Sequence, residues 1–158
     1  IAADLPPYRR MIANGLSSVM VAHVAFPEVD AMPASLSPHW IRGVLRGELG
    51  FQGAVFADDL SMGGAAAYGD IVARAGLALE AGCDVLPVCN DRAAVLTLLD
   101  AMRTAVDPVG GLRLARLHGR DGPETQVLAS DPRWQAGVTA ARACLERPEF
   151  HLEGERNA

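Results

Sequence analysis

The sequence predicts an α/β fold built on a parallel sheet, and three observations point to it. Short apolar runs at Ser17 to Val24, Ala54 to Ala57 and Asp84 to Cys89 end in polar residues and show no alternation, as strands buried on both faces do. A helical pattern follows each run, so that βα units recur roughly every 30–35 residues. The chain has 158 residues, 50% of them hydrophobic, which suits one domain with an ample core.

The elements follow in order. Tyr8, Met11 and Ile12 mark a short first helix that stops at Asn14-Gly15. The first strand runs from Ser17 to Val24. Ser37-Pro38 supplies an N-cap and a proline for the first turn of the next helix. There Trp40, Ile41, Val44, Leu45 and Leu49 repeat at helical spacing until Gly50 stops it. Ala54-Val55-Phe56-Ala57 is the second strand and closes on Asp58-Asp59. Asp70 opens a helix through Ile71, Ala75, Ala78 and Leu79 to Gly82. The third strand, Asp84 to Cys89, contains Pro87, which removes one ladder donor. Asp91 caps a helix carrying Val95, Leu98, Leu99 and Met102. Beyond residue 107 the periodicity fades: Pro108-Val109-Gly110-Gly111 reads as a turn, and Leu112, Leu114 and Leu117 alternate with arginines. Asp131-Pro132 starts a last amphipathic helix through Trp134, Val138 and Leu145, and the stretch from Arg147 on is polar.

Composition excludes several classes of function. All 14 basic residues are arginine. A chain without lysine cannot be a Schiff-base enzyme, a P-loop NTPase, a kinase or a response-regulator receiver. The net charge of −5, with no basic cluster, argues against a nucleic-acid partner. No apolar run reaches the ~18 residues of a membrane helix, so no membrane partner is expected. Cys83, Cys89 and Cys144 are odd in number and lack metal-ligand spacing, which predicts free thiols, no metal and a reducing, cytoplasmic setting. The opening Ile1-Ala2-Ala3-Asp4 has no signal-peptide pattern and reads as the interior of a longer sequence or as a truncated gene product.

The stretch Gly50 to Met62 carries the most chemistry. Two adjacent carboxylates, Asp58 and Asp59, end a buried strand, and successive strand residues face opposite ways. One carboxylate therefore faces a site and the other a wall, unless both simply bond a turn backbone. Three βα units suit a small open sheet, or part of a barrel whose eight units take ~250 residues.

The motifs discriminate. Asp4-Leu5-Pro6-Pro7, Met20-Val21-Ala22-His23-Val24, Asp30-Ala31-Met32-Pro33-Ala34-Ser35, Ser37-Pro38-His39-Trp40-Ile41, Leu45 to Phe51, Ala57-Asp58-Asp59-Leu60-Ser61-Met62 and Ala81-Gly82-Cys83-Asp84 follow one another in a familiar order and spacing. Together they resemble the bacterial β-N-acetylhexosaminidases of glycoside hydrolase family 3, of the peptidoglycan-recycling type. The resemblance is dense over about residues 4 to 92 and looser beyond.

That resemblance implies a TIM (β/α)8 barrel, of which residues 1–146 would be the C-terminal part, about strands six to eight with their helices, with 147–158 a polar tail. It implies a retaining exo-glycosidase that releases terminal N-acetylglucosamine from muropeptides and needs no metal and no organic cofactor. The nucleophile maps onto Asp58, the first Asp of a motif whose preceding Ser is Ala57 here, on the opposite face. His23 and Met62 are the expected substrate-binding residues; for His23 a hydrogen-bonding role behind the site is favoured over catalysis. Asp59 would orient the loop. Asn90 and Arg92 would contact substrate or cap a helix, while His39, His118 and His151 carry no pattern. The family's acid/base histidine, in a K-H-F-P-G-H-G-like segment after the fifth strand, has no counterpart in these residues. The 158 residues by themselves would then expose an inner sheet face and lack activity. The rival readings are an inactive fragment or a small interaction module of three βα units, and, more weakly, a metal-dependent hydrolase using Asp58, Asp59 and His23.

Overall fold

A computed structural model describes residues 3–102, 107–119, 122 and 125–145. The polar stretch from 147 and His151 lie outside the described residues. The chain divides into two compact units, Ile1–His118 and Gly119–Ala158.

The first unit is α/β. Helix α1 (Pro6–Ala13) ends at Asn14, as its apolar spacing predicts. Strand β1 (Ser18–Val21) is shorter than the apolar run because the chain turns at His23 into an antiparallel ribbon, β2 (Ala25–Phe26) with β3 (Asp30–Pro33). The turn is pinned by the Val29 N–H on the Phe26 carbonyl and the Met32 N–H on the Asp30 carboxylate. A run of apolar residues does not announce this ribbon.

The helix predicted after Ser37 is present, but its winding is wider than α. His39–Glu48 forms π-helical turns, with the Leu49 N–H reaching the Val44 carbonyl five residues back. Gly47 makes room for this: a Cβ there would lie 3.2 Å from the Arg42 carbonyl oxygen. Ser37 acts as the cap, its Oγ accepting the Trp40 N–H at 3.2 Å.

Strand β4 (Ala54–Ala57) pairs parallel with β1, in the register Ser18 with Ala54 through Val21 with Ala57. The third predicted strand contracts to one parallel bridge, Phe56 with Val85. Pro87 explains the contraction, since its nitrogen cannot donate; its carbonyl instead accepts the Leu60 N–H at 3.0 Å. Helices α2 (Ile71–Ala81) and α3 (Arg92–Ala101) are capped by Asp70 and Asp91, and α2 ends on Gly82 in the left-handed region. Residues 108–111, read from sequence as a turn, instead begin helix α4 (Pro108–Ala115). The Asp107 carboxylate accepts the Val109 and Gly110 N–H groups and so organises its first turn despite two glycines.

The core lies on one face of the sheet. Val55 and Ala57 pack with Ile41, Leu45, Phe51 and Leu60, and with the small residues Ala75, Ala78 and Ala81, which let α2 lie close. The other face carries Met20 and Phe56, which pair across β1 and β4. Met20 is 58% exposed, so among the described residues this face is only partly covered.

The second unit contains α5 (Thr125–Ser130) and α6 (Pro132–Ala143), the latter capped by Asp131. The cap and proline follow the sequence expectation, but α6 buries none of its residues, and Trp134 and Leu145 are exposed. No helix among the described residues is long and apolar enough to cross a membrane.

The three cysteines are free. Burial, reinforced by the neighbouring Asp84 charge, pushes the Cys83 thiol up to about 12, whereas Cys89 and Cys144 are exposed. Because the thiolate is the reactive species, a thiol reagent applied to the folded protein should modify Cys89 and Cys144 and spare Cys83 until unfolding. Peptide mass mapping before and after denaturant reads this directly.

Candidate active site

Asp58 and Asp59 follow the last residue of β4, and the two carboxylates do different work. Alternation places Asp58 on the face of Phe56, while Ala57 is fully buried in the core. The Asp58 N–H is bonded to the Val21 carbonyl at 3.1 Å, which continues the β1–β4 ladder to the site. Its Oδ1 accepts the Asp59 N–H at 2.9 Å. Among the described residues no donor reaches Oδ2, so that oxygen keeps its lone pairs for chemistry.

Asp59 is spent on the loop. Its carboxylate accepts the Ser61 N–H at 2.9 Å, the Ser61 hydroxyl at 2.8 Å and the Cys89 N–H at 3.0 Å. The Ser61 hydroxyl is also 3.2 Å from the Cys89 carbonyl. One side chain thus ties the β4 end to the segment after Val85. Burial alone would push the Asp59 carboxyl up, but the N–H groups of Cys89 and Ser61 and the Ser61 hydroxyl outweigh it and hold the carboxyl below the usual 3.8. A depressed folded-state value means that this stabilisation is present above 3.8 and is lost as pH falls through the lower folded value. Asp59→Asn should therefore lower the melting temperature near neutrality, and the difference from the unsubstituted protein should shrink when melts are repeated towards pH 3. A difference independent of pH would contradict this role.

His23 follows β1 and brings both ring nitrogens to protein partners. Nε2 lies 3.0 Å from the Asp59 carbonyl and Nδ1 2.5 Å from the buried Ser35 hydroxyl. Met62 is 45% exposed, and its N–H closes a turn on the Asp59 carbonyl at 3.0 Å. The loop is gripped from below by Arg74 of α2, which donates to the Leu60 and Gly69 carbonyls, each at 2.8 Å. Sequence reading did not single out Arg74. Its only signal is a guanidinium on a helix whose one other charge is Glu80.

Asn90 adopts φ +60° just before α3, and Arg92 is that helix's exposed first residue. His39 meets Trp40 edge-on with centroids 5.6 Å apart; His118 is exposed at the end of the first unit. No three metal-ligating side chains gather among the described residues. An apolar cleft of about 360 Å³ lies between α1, β1, the ribbon and the π-helix, and neither Asp58 nor Asp59 nor His23 lines it.

The opposite end of β4 holds a feature that sequence reading missed. Asp84, with 3% of its side chain exposed, accepts Arg46 and Arg113, each at 2.9 Å, and the Val55 N–H at 2.8 Å. This ion pair joins the π-helix, β4 and α4 away from the carboxylates.

Compared with known proteins, residues 2–117 match the family described as Glycosyl hydrolase family 3 N terminal domain. A Beta-hexosaminidase of Thioalkalivibrio sulfidiphilus is 43% identical over 150 residues, covering 95% of this chain and 43% of that protein. A Beta-hexosaminidase of Nitrosospira multiformis is 47% identical over 136 residues, covering 85% and 39%. Native NagZ from Neisseria gonorrhoeae superposes with a TM-score of 0.72 at 35% identity, over 92% of this chain and 41% of that one. The same protein has been solved with N-trifluoroacetyl-D-glucosamine and superposes equally well, with a TM-score of 0.72. The chain spans about two-fifths of the length of these relatives.

Proposed function

The chain belongs to the glycosyl hydrolase family 3 N-terminal domain family, and from that premise we propose that it is the nucleophile-bearing part of a retaining β-N-acetylhexosaminidase. Asp58 is the nucleophile. The observation that carries this reading is the division of labour at the end of β4: Asp59 is consumed by the loop, while Asp58 keeps Oδ2 open on the less covered face of the sheet.

In the first step the Asp58 carboxylate attacks the anomeric carbon, the bond to the leaving oxygen breaks, and a general acid protonates that oxygen. In the second, water adds to the anomeric carbon, the bond to Asp58 breaks, and the same group takes the water's proton. We assign the acid/base to a part of the relatives' length that this chain does not span, along with most of the sugar-binding wall. The same reading makes β1, β4 and the Val85 segment the sixth to eighth strands of a (β/α)8 barrel, whose chemistry sits at the C-terminal strand ends, where Asp58 stands.

The substrate class is a terminal β-linked N-acetylglucosamine on peptidoglycan-derived muropeptides, handled in the cytoplasm without metal or organic cofactor. The relatives' names and the N-acetylglucosamine analogue seen in NagZ support the sugar; the three free thiols suit the compartment. The test is turnover of a chromogenic β-N-acetylglucosaminide, with the matching β-glucoside as control, by the protein that carries this sequence. Preferential release of N-acetylglucosamine is expected. Absence of turnover by that folded protein favours the non-catalytic module instead.

A further inference from the structure

His23 commits both ring nitrogens to protein partners. Its Nε2 meets the Asp59 carbonyl at 3.0 Å. A carbonyl oxygen only accepts, so Nε2 carries a proton, and in the neutral ring Nδ1 is then the acceptor for the Ser35 hydroxyl. Ser35 is itself fully buried and held through its backbone: its N–H donates to Ala22, and its carbonyl lies 3.5 Å from the Cys83 sulfur. The histidine is also clamped from the loop side, because a Cβ on Gly64 would come within 3.1 Å of the His23 Cβ and carbonyl oxygen.

The bond to Asp59 falls where it controls Asp58. The peptide between Asp59 and Leu60 is strung between two strand segments: its carbonyl is held by His23 after β1, and its N–H by the Pro87 carbonyl at 3.0 Å. The preceding peptide presents the Asp59 N–H to Asp58 Oδ1 at 2.9 Å. With the Asp59 carboxylate also fixed by Ser61 and Cys89, the direction of that N–H is set, and with it the aim of the Asp58 carboxylate.

We propose that His23, oriented by Ser35, is a positioning residue that acts through the Asp59 carbonyl to aim Asp58 at the anomeric carbon, without touching substrate or moving a proton. This rests on the reading of Asp58 as nucleophile. Misplacing a reacting group by about 1 Å costs on the order of 10²-fold in rate, and the loss falls on kcat when substrate contacts are untouched.

The test compares His23→Leu, which removes both ring bonds, with His23→Gln, whose amide N–H can still reach the Asp59 carbonyl, and with Ser35→Ala. In the protein carrying this sequence, His23→Leu should lower kcat on a chromogenic N-acetylglucosaminide by about 10²-fold with KM changed by no more than about twofold. His23→Gln should recover most of the loss, and Ser35→Ala should fall between the two. A second readout needs no catalysis: the trans-hydrogen-bond coupling between the Asp59 amide nitrogen and the Asp58 carboxyl carbon should be detectable by NMR in the unsubstituted protein and in His23→Gln, and weakened in Ser35→Ala. If His23→Leu does not fold, the other two variants carry both readouts. A His23→Leu protein with unchanged kcat, a loss seen in KM alone, or a coupling that survives Ser35→Ala at full strength would overturn the proposal. Should the unsubstituted protein turn over nothing, the nucleophile reading fails by itself, and the coupling still decides whether His23 aims Asp58.

Discussion

In the protein that carries this sequence, Asp58→Ala is expected to lower kcat on an N-acetylglucosaminide by at least about 10³-fold while leaving the melting temperature nearly unchanged. The kinetic loss follows from removing the only group in the turn with a free carboxylate oxygen, so that no covalent intermediate forms and the two-step path closes. Stability is spared because Asp58 contributes one local bond, from the Asp59 N–H to Oδ1, and none to the core. Asp59→Asn should show the reverse pattern, costing stability first, because its carboxylate joins two chain segments. Steady-state kinetics and thermal melts on the same two preparations check both halves. An Asp58→Ala protein with near-normal kcat would remove the assignment, whatever Asp59 did.

The largest loss of stability is expected at Asp84. Its side chain is 3% exposed, and its carboxylate lies between the guanidinium groups of Arg46 and Arg113, whose side chains are 15% and 18% exposed. Burial presses against the charge on Arg46, and so does Arg113 beside it; Asp84 opposes both without cancelling them, so the Arg46 guanidinium stays below its usual value. Asp84→Ala would leave two half-buried like charges facing each other and orphan the Val55 N–H. Breaking a buried pair from one side typically costs about 3–5 kcal/mol, which for a chain of this size corresponds to a fall in Tm on the order of 10 °C. Arg113→Met should cost less, because Asp84 then keeps Arg46 and the Val55 N–H. Both are measured by thermal melts followed by circular dichroism. An Asp84→Ala protein melting within about 2 °C of the parent would show that the pair is not holding the end of β4.

The readable parts of the fold are those decided locally. Asp70, Asp91 and Asp131 cap the helices that their spacing foretells, and the run Ala54 to Ala57 forms the central strand. The opposed directions of Ala57 and Asp58 follow from strand alternation alone. What the sequence did not reveal depends on residues far apart in the chain. Asp84 finds Arg46 and Arg113 at separations of 38 and 29 positions, and no periodicity encodes such a pairing. The β2–β3 ribbon is two residues long on one side and shifts register at Ala25 and Phe26, too little for an alternation pattern to register. The π-helical winding differs from an α-helix only in how far each N–H reaches back, which the apolar spacing of Ile41, Val44 and Leu45 does not resolve. His23 was legible as a residue at the end of a strand. Its partners Ser35 and Asp59, at separations of 12 and 36, were not.

The central claim is that the Asp58 oxygen bonds to the sugar, and mass spectrometry of a trapped intermediate tests it most directly. A 5-fluoro N-acetylglucosaminyl donor with a good leaving group lets the first step proceed, because departure is fast, while the fluorine slows hydrolysis of the glycosyl-enzyme. The protein that carries this sequence, incubated with this donor, quenched in acid and digested, should carry one added sugar, on the peptide containing Asp58 and on that side chain within it. Asp58→Ala should carry none. A sugar attached to any other residue, or catalytic turnover by the protein with no covalent adduct and with inversion at the anomeric carbon, would contradict the account.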